Sequence, residues 1–305
     1  MNPQQRTTPA TRTAKRILLL IAAAFGAFAA FASLAQVTLT HVHGLAYSPD
    51  GQQLMIPSHH GLAVYRDGKW SKAPGPQHDY MGFAATSKHL YSSGHPAPKS
   101  GLVNPFGLIR SRDGGKTWEK LGLEGETDFH LLAASWNTNA IYVWNPAPSS
   151  RIPDAGLHYT LDDGRTWKPA GMTGLQGKPM SLAVHPDDPA VVAVGTSEGV
   201  YLSRDAGASF SRRAAGAGTA VFFDLDGKHL WYGSFDNGAR LARAPQGRGA
   251  ATEIKLPRLG EDAVAYIAQN PKRRDEYAIA SFKRSVFVSS DKGRTWRPIA
   301  DQGKT

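Results

Sequence analysis

The stretch SRDGGKTW, Ser111 to Trp118, decides the fold because it returns. It stands again as TLDDGRTW (Thr160 to Trp167), SRDAGASF (Ser203 to Phe210) and SSDKGRTW (Ser289 to Trp296). The shared pattern is Ser/Thr-x-Asp-x-Gly-x-Thr/Ser-aromatic. Its aspartates, Asp113, Asp162, Asp205 and Asp291, are spaced 49, 43 and 86 residues apart, and 86 is twice 43. A degenerate copy is therefore expected near residue 248, within FDNGARLARAPQGRGAATEIKLP (Phe235 to Pro257). Upstream, VYRDGKW (Val64 to Trp70) reads as a shortened first copy. Six units of roughly 45 residues indicate a propeller or a similar array.

Each unit has the same internal order. HGLAYS, QLMIPS, GLAVYRD and KWSKA in the first unit are short apolar or alternating runs separated by turn residues. MSLAVHP, AVVAVGT, GVYLSRD and ASFSRRA repeat that order in the fourth. No segment carries ten residues of helical periodicity. The expected fold is all-β: a six-bladed β-propeller of four-stranded antiparallel blades over residues 37–305, with the repeat forming the turn between the third and fourth strands. In that turn Asp accepts backbone N–H bonds and Gly supplies a positive φ. Asp113, Asp162, Asp205 and Asp291 are thus read as braces, with Gly115, Gly164, Gly207 and Gly293. Trp118, Trp167, Phe210 and Trp296 are read as rings buried between blades.

The chain has 305 residues and no cysteine, which excludes disulfides, thiolate metal sites and a cysteine nucleophile. Residues 1–36 read as a signal peptide or an N-terminal anchor. Arg6, Arg12, Lys15 and Arg16 precede the apolar run Ile17 to Ala35, and SLA before Gln36 offers small residues for cleavage. The expected location is periplasmic or secreted, or anchored in the cytoplasmic membrane by residues 17–35. Without that segment the charge falls from +10 to +6, with no Lys/Arg run, so no nucleic-acid partner is expected. The chain is expected to be a monomer that contacts a membrane only through this segment.

These repeats resemble those of the Asp-box (BNR) propellers, a superfamily that includes sialidases, sortilin-type receptor domains, some oligosaccharide hydrolases and photosystem II assembly-factor-like proteins. The opening HVHGLAYSPDG also resembles the start of a bacterial secreted group labelled glycosylhydrolase on repeat similarity. The superfamily mixes enzymes and binders, so the resemblance implies fold more than function. Sialidase chemistry would need an arginine triad, a tyrosine nucleophile with a glutamate, and an acid. Here Arg151-Ile152-Pro153 is the single Arg-Ile-Pro element, and it falls in a blade-three loop. Another glycosidase would need two facing carboxylates, with Asp79, Asp128, Glu261 and Asp262 as candidates.

A propeller face opposite the repeat turns carries the loops that precede each innermost strand and those joining second to third strands. Seven of the eleven histidines fall in these loops: His41, His43, His59, His60, His78, His95 and His130. Asp79 and Asp128 accompany them, and Glu198, Asp236, Glu261 and Asp262 lie in the later blades. His41 and His43 stand at i and i+2, so along a strand both rings face one way. Imidazoles without thiolates suit a divalent transition metal such as Zn or Cu, with carboxylates orienting the rings. The candidate metal ligands are His41, His43, His59, His60, His78, Asp79, His95 and His130. The functional expectation is an exported propeller holding a metal or small ligand on this face. The alternatives are a sialidase-like glycoside hydrolase and an assembly factor or scaffold for an envelope protein. Two Pro-rich insertions, His95 to Gly107 and Asn145 to Gly156, widen the same face, and Trp136, Tyr142 and Trp144 are candidates for a groove.

Overall fold

The computed structural model describes Met1 and residues 37–305. The signal or anchor reading of the N-terminus falls on residues outside these. The described chain forms six sheets of four antiparallel strands, each in sequence order from the innermost strand outward. The innermost strands are Ala46–Tyr47, Asp79–Ala85, Leu132–Ala134, Pro179–Val184, Ala217–Phe223 and Val264–Gln269. Each touches the next, and the last touches the first, so they ring a central channel. The architecture is a six-bladed β-propeller.

Blade four shows why the sequence takes this form. Val192–Thr196 is buried along its whole length, as is Gly199–Ser203 beside it, whereas the outer strand Ser211–Ala215 is almost wholly exposed. Middle strands are covered by a blade on both faces and so read as continuous apolar runs. The outer strand lies at the rim and carries SRRAA. Between the middle strands, Ser197 and Glu198 make a two-residue turn, and Thr196 Oγ1 accepts the N–H groups of Glu198 and Gly199 at 3.1 and 3.2 Å.

The apolar residues group into six clusters, one at each interface between neighbouring blades. Trp231, fully buried between blades five and six, stacks on Tyr277 with centroids 4.4 Å apart. The ring closes between blades six and one. Leu39 N–H donates to Gly303 O at 2.9 Å, Thr38 bridges to Lys304, and Trp70 Nε1 donates to Ile299 O at 2.8 Å. The residues ahead of the first blade thus clasp the C-terminal segment as a single bridge, without adding a strand.

The four repeat turns are built alike. In the third blade Thr160 Oγ1 donates to Asp162 Oδ1 at 2.8 Å and accepts Gly164 N–H at 2.9 Å. Asp162 also accepts Thr166 N–H at 2.9 Å and Thr166 Oγ1 at 2.7 Å. These donors, the Thr166 N–H foremost, hold the Asp162 carboxyl at about 2. Asp113, Asp205 and Asp291 sit in the same cradle and are likewise held at about 2. The glycine has a second duty. A Cβ on Gly115, Gly164, Gly207 or Gly293 would meet Leu62, Leu108, Ala170 or Ile254 at 2.7, 3.0, 2.8 and 2.8 Å, in each case a residue of the preceding blade. Trp118, Trp167, Phe210 and Trp296 join the cluster facing that same blade.

Two sequence expectations need correction. VYRDGKW is no shortened repeat: Asp67 and Gly68, both with positive φ, make a two-residue hairpin that pairs Arg66 with Lys69. In blade five, the FDNG that opens the expected degenerate copy spans the end of the second strand and its turn to the third, where the sequence had also put Asp236, since Phe235 pairs with Ala239. Residue 248 does lie between the third and fourth strands there, in a loop without the aspartate cradle.

Candidate metal and ligand site

The loop ahead of the first blade and the turn between its second and third strands meet the start of blade two. His41 and His43 lie just before the strand Ala46–Tyr47, not on it as the alternation suggested, and His43 N–H donates to Pro57 O at 3.2 Å. That bond keeps the segment extended, so the two rings face one way. His59 comes from the turn after Leu54–Ser58. The three ring centroids lie 4.8, 4.8 and 4.9 Å apart, and one nitrogen from each lies within 4.8 Å of the others.

Asp79, first residue of the innermost strand of blade two, completes the group. His59 Nδ1 donates to Asp79 Oδ2 at 2.8 Å, leaving Nε2 free. A carboxylate behind the far nitrogen of an imidazole is how proteins orient a metal-binding histidine. His43 Nε2 and Asp79 Oδ1 lie 3.8 Å apart, both buried and both without a hydrogen-bond partner. Buried polar atoms are rarely left so. Two ligands sharing a tetrahedral Zn at about 2.0–2.1 Å would be about 3.3 Å apart, so a small side-chain adjustment brings these atoms to ligand spacing. Burial pushes His43 down to about 4, with neighbouring His41 adding to the effect against the pull of Asp79. His41 is lowered as well, by burial first and then by His59 and Arg284. Neutral imidazoles are the form a metal takes.

A second group lies beside the first. Asp128 Oδ2 lies 2.8 Å from His130 Nε2 and 3.0 Å from His95 Nε2, while Oδ1 is buried without a partner. The Asn104 carboxamide, 2.7 Å from His95 Nδ1, holds that ring, which gives the long Pro-rich insertion a positioning role. The bond to Asp128 raises the pKa of His130, against its burial.

The other sequence candidates stand apart. His78 is buried between Tyr80 and Phe106, with Nδ1 accepting Ala97 N–H at 2.9 Å, and burial lowers its pKa. It is a core residue: just ahead of the strand that Asp79 opens, its ring packs on Phe106 while Asp79 takes the site side. His60, Glu198, Asp236 and Glu261 are exposed. Asp262 is spent on backbone donors, accepting Ala263 N–H and, from the second-to-third strand turn of the same blade, Lys283 N–H. Arg151 Nη1 donates to Leu121 O and Gly164 O, and Ile152 is fully buried, so the Arg-Ile-Pro element braces a blade interface. Tyr142 stacks on Tyr159 in the core, Trp144 packs against the same cluster, and Trp136 lines the central channel, so these three form no surface groove.

Sequence reasoning missed three features. Phe282, 55% exposed, and Arg284 share a pocket with His41, and Arg284 Nη1 donates to Thr40 O at 3.1 Å. The signal was an aromatic and two cations in the turn SFKRS, between the second and third strands of blade six. Asp224, Asp226 and His229 also lie at ligand spacing. There Arg243 already donates to Asp224 Oδ2 at 3.0 and 2.9 Å, and Tyr277 O–H to Oδ1 at 2.6 Å, so a cation is in place. The third is the channel wall, which holds no Asp, Glu, Lys or Arg among the described residues.

The BNR/Asp-box repeat model matches residues 109–120. A xyloglucanase from Paenibacillus sp is 30% identical over 206 residues, which cover 63% of this chain and 19% of that protein. The chain thus spans about a fifth of this relative's length. Among solved structures, a GH74 enzyme of Niastella koreensis superposes with a TM-score of 0.60 at 16% identity, covering 87% of this chain and 46% of that one. An ancestral GH74 enzyme gives 0.51 at 13% identity, covering 84% and 37%. Repeats, family-model match and fold agree on a BNR/Asp-box repeat β-propeller.

Proposed function

We propose that the propeller binds a divalent transition metal, zinc or copper, through His41, His43 and His59, with Asp79 as fourth ligand or as the orienting partner of His59. The observation that carries this reading is the convergence of three imidazoles on one point beside two buried, unpartnered polar atoms, His43 Nε2 and Asp79 Oδ1. Three nitrogens with one carboxylate make a donor set suited to Zn or Cu, and a three-ligand site keeps a position open for a bound molecule. The test is metal analysis and zinc titration of untagged protein. His41→Ala/His43→Ala is expected to lose binding, while the exposed His60→Ala retains it. Absence of titratable metal, or equal affinity in the double variant, refutes the reading. The same reading has the propeller act as an exported monomer, from the basic and apolar character of residues 6–35, which cell fractionation and sedimentation check.

A second reading, glycoside hydrolysis, is supported by the 30% identity to a xyloglucanase. It predicts turnover of xyloglucan oligosaccharides that Asp79→Asn or Asp128→Asn abolishes. No turnover by the folded protein removes it.

A further inference from the structure

We infer that the central channel holds the apolar end of a small ligand, an aryl or short branched alkyl group about the size of benzene, whose donor head lies at the histidine mouth. The assignment of the head rests on the metal reading above; that of the tail does not.

The channel holds a partly open cavity of about 150 Å³. Its walls carry no Asp, Glu, Lys or Arg among the described residues, and its only imidazoles are His43 and His130. Five of the six innermost strands each give it a half-buried apolar or aromatic side chain: Ala84, Ala134, Leu182, Phe222 and Tyr266. Strand alternation explains them. Along each innermost strand one set of side chains enters a blade interface, and the other faces inward, where no blade covers it. Burial pushes the Tyr266 phenol up to about 12, as a poorly hydrated wall would. A cavity of this volume is large enough for benzene. Ala84, Ala134, Leu182 and Phe222 offer water no partner, so an apolar group is favoured against them.

The mouth fixes the other end. His43 lines the channel and belongs to the imidazole group, and His130, held by Asp128, lines it beside His43. A molecule with its tail in the channel therefore presents its head to nitrogen donors and to a metal they hold. The ligand class is a small aryl or branched-alkyl compound with a carboxylate, hydroxamate or similar metal-binding head. Such a division, apolar walls with a few convergent polar groups, is the common design of small-molecule sites.

The experiment uses the full chain and two probe sets. Metal-free protein is mixed with benzene and read by saturation-transfer NMR. Zinc-loaded protein is titrated with acetohydroxamate and benzohydroxamate, which differ in the tail alone. We expect benzene to bind and the aryl hydroxamate to bind at least about tenfold tighter than the methyl one, as burial of the larger apolar area requires. Ala134→Leu, and independently Leu182→Phe from another blade, fill the channel. In either folded variant benzene binding is lost and the tail preference falls below about threefold, while zinc affinity stays unchanged. Zinc binding with neither benzene binding nor a tail preference overturns the inference and leaves the metal reading standing. If zinc does not bind, benzene alone decides: binding that the filling variants abolish supports the channel, and no binding overturns it.

Discussion

Thr160→Val isolates what holds a repeat turn together. Thr160 is 1% exposed, and valine matches its shape, so the change opens no cavity. It removes one hydroxyl with three bonds: the donor to Asp162 Oδ1 at 2.8 Å, and the acceptor of Gly164 N–H at 2.9 Å and Asp162 N–H at 3.2 Å. Gly164 is buried against the preceding blade and its N–H has no route to water, so its loss costs about 1–3 kcal/mol. The bond to the carboxylate adds less, about 0.5–1 kcal/mol, because Asp162 keeps both Thr166 donors and is partly solvated. The sum is about 1.5–4 kcal/mol, or on the order of 8 °C in Tm for a domain of this size. Urea unfolding of the variant beside wild type measures it. Thr166→Val is the control: its hydroxyl bond to Oδ2 is exposed, and the expected cost is under about 1 kcal/mol. If Thr160→Val lies within about 0.5 kcal/mol of wild type, or no further from it than the control, the buried hydroxyl is not what anchors the turn.

Other perturbations follow from the same contacts. Gly207→Ala combines a φ of +80° with a Cβ 2.8 Å from Ala170, for about 2–4 kcal/mol, whereas Gly114→Ala, with φ +75° and open space, should lose about 1–2 kcal/mol; equal losses would refute the blade contact. The repeat aspartates titrate lower in the fold than their ordinary value of 3.8, so their stabilisation is complete above pH 3.8 and is lost as pH falls through about 2. Unfolding followed against pH should therefore show an acid limb between those values, shallower in Asp162→Asn; an unchanged limb would assign it to other groups. Arg243→Met leaves Asp224, 2% exposed, without its cation and should cost about 3 kcal/mol by calorimetry, a value near zero arguing that Tyr277 and the other donors suffice.

The site was legible in part. The i, i+2 spacing of His41 and His43 correctly implied rings on one side. The sequence also placed His59 and Asp79 on the same face. It could not separate His78 from Asp79, or His59 from His60, because adjacent residues share a loop while their side chains diverge. His78 enters the core with Phe106, and Asp79 reaches His59. The pairing of Asp128 with His95 and His130 was equally out of reach, since it joins a second-to-third strand loop of blade two to the start of blade three. Phe282 and Arg284 come to His41 across the ring closure, 241 and 243 positions along the chain.

The sequence by itself determined the six-unit period, the four-stranded blade, the face carrying each loop and the bracing role of Asp113, Asp162, Asp205 and Asp291. All of these rest on hydrogen bonds and alternation spanning a few residues, as in the turn where Thr160, Asp162, Gly164 and Thr166 satisfy one another. Tertiary structure decided which histidines meet, that Gly207 must also make room for a neighbouring blade, and that the channel wall carries no Asp, Glu, Lys or Arg among the described residues. These follow from the angle at which six blades close into a ring, which is set by packing in six interfaces between segments distant along the chain.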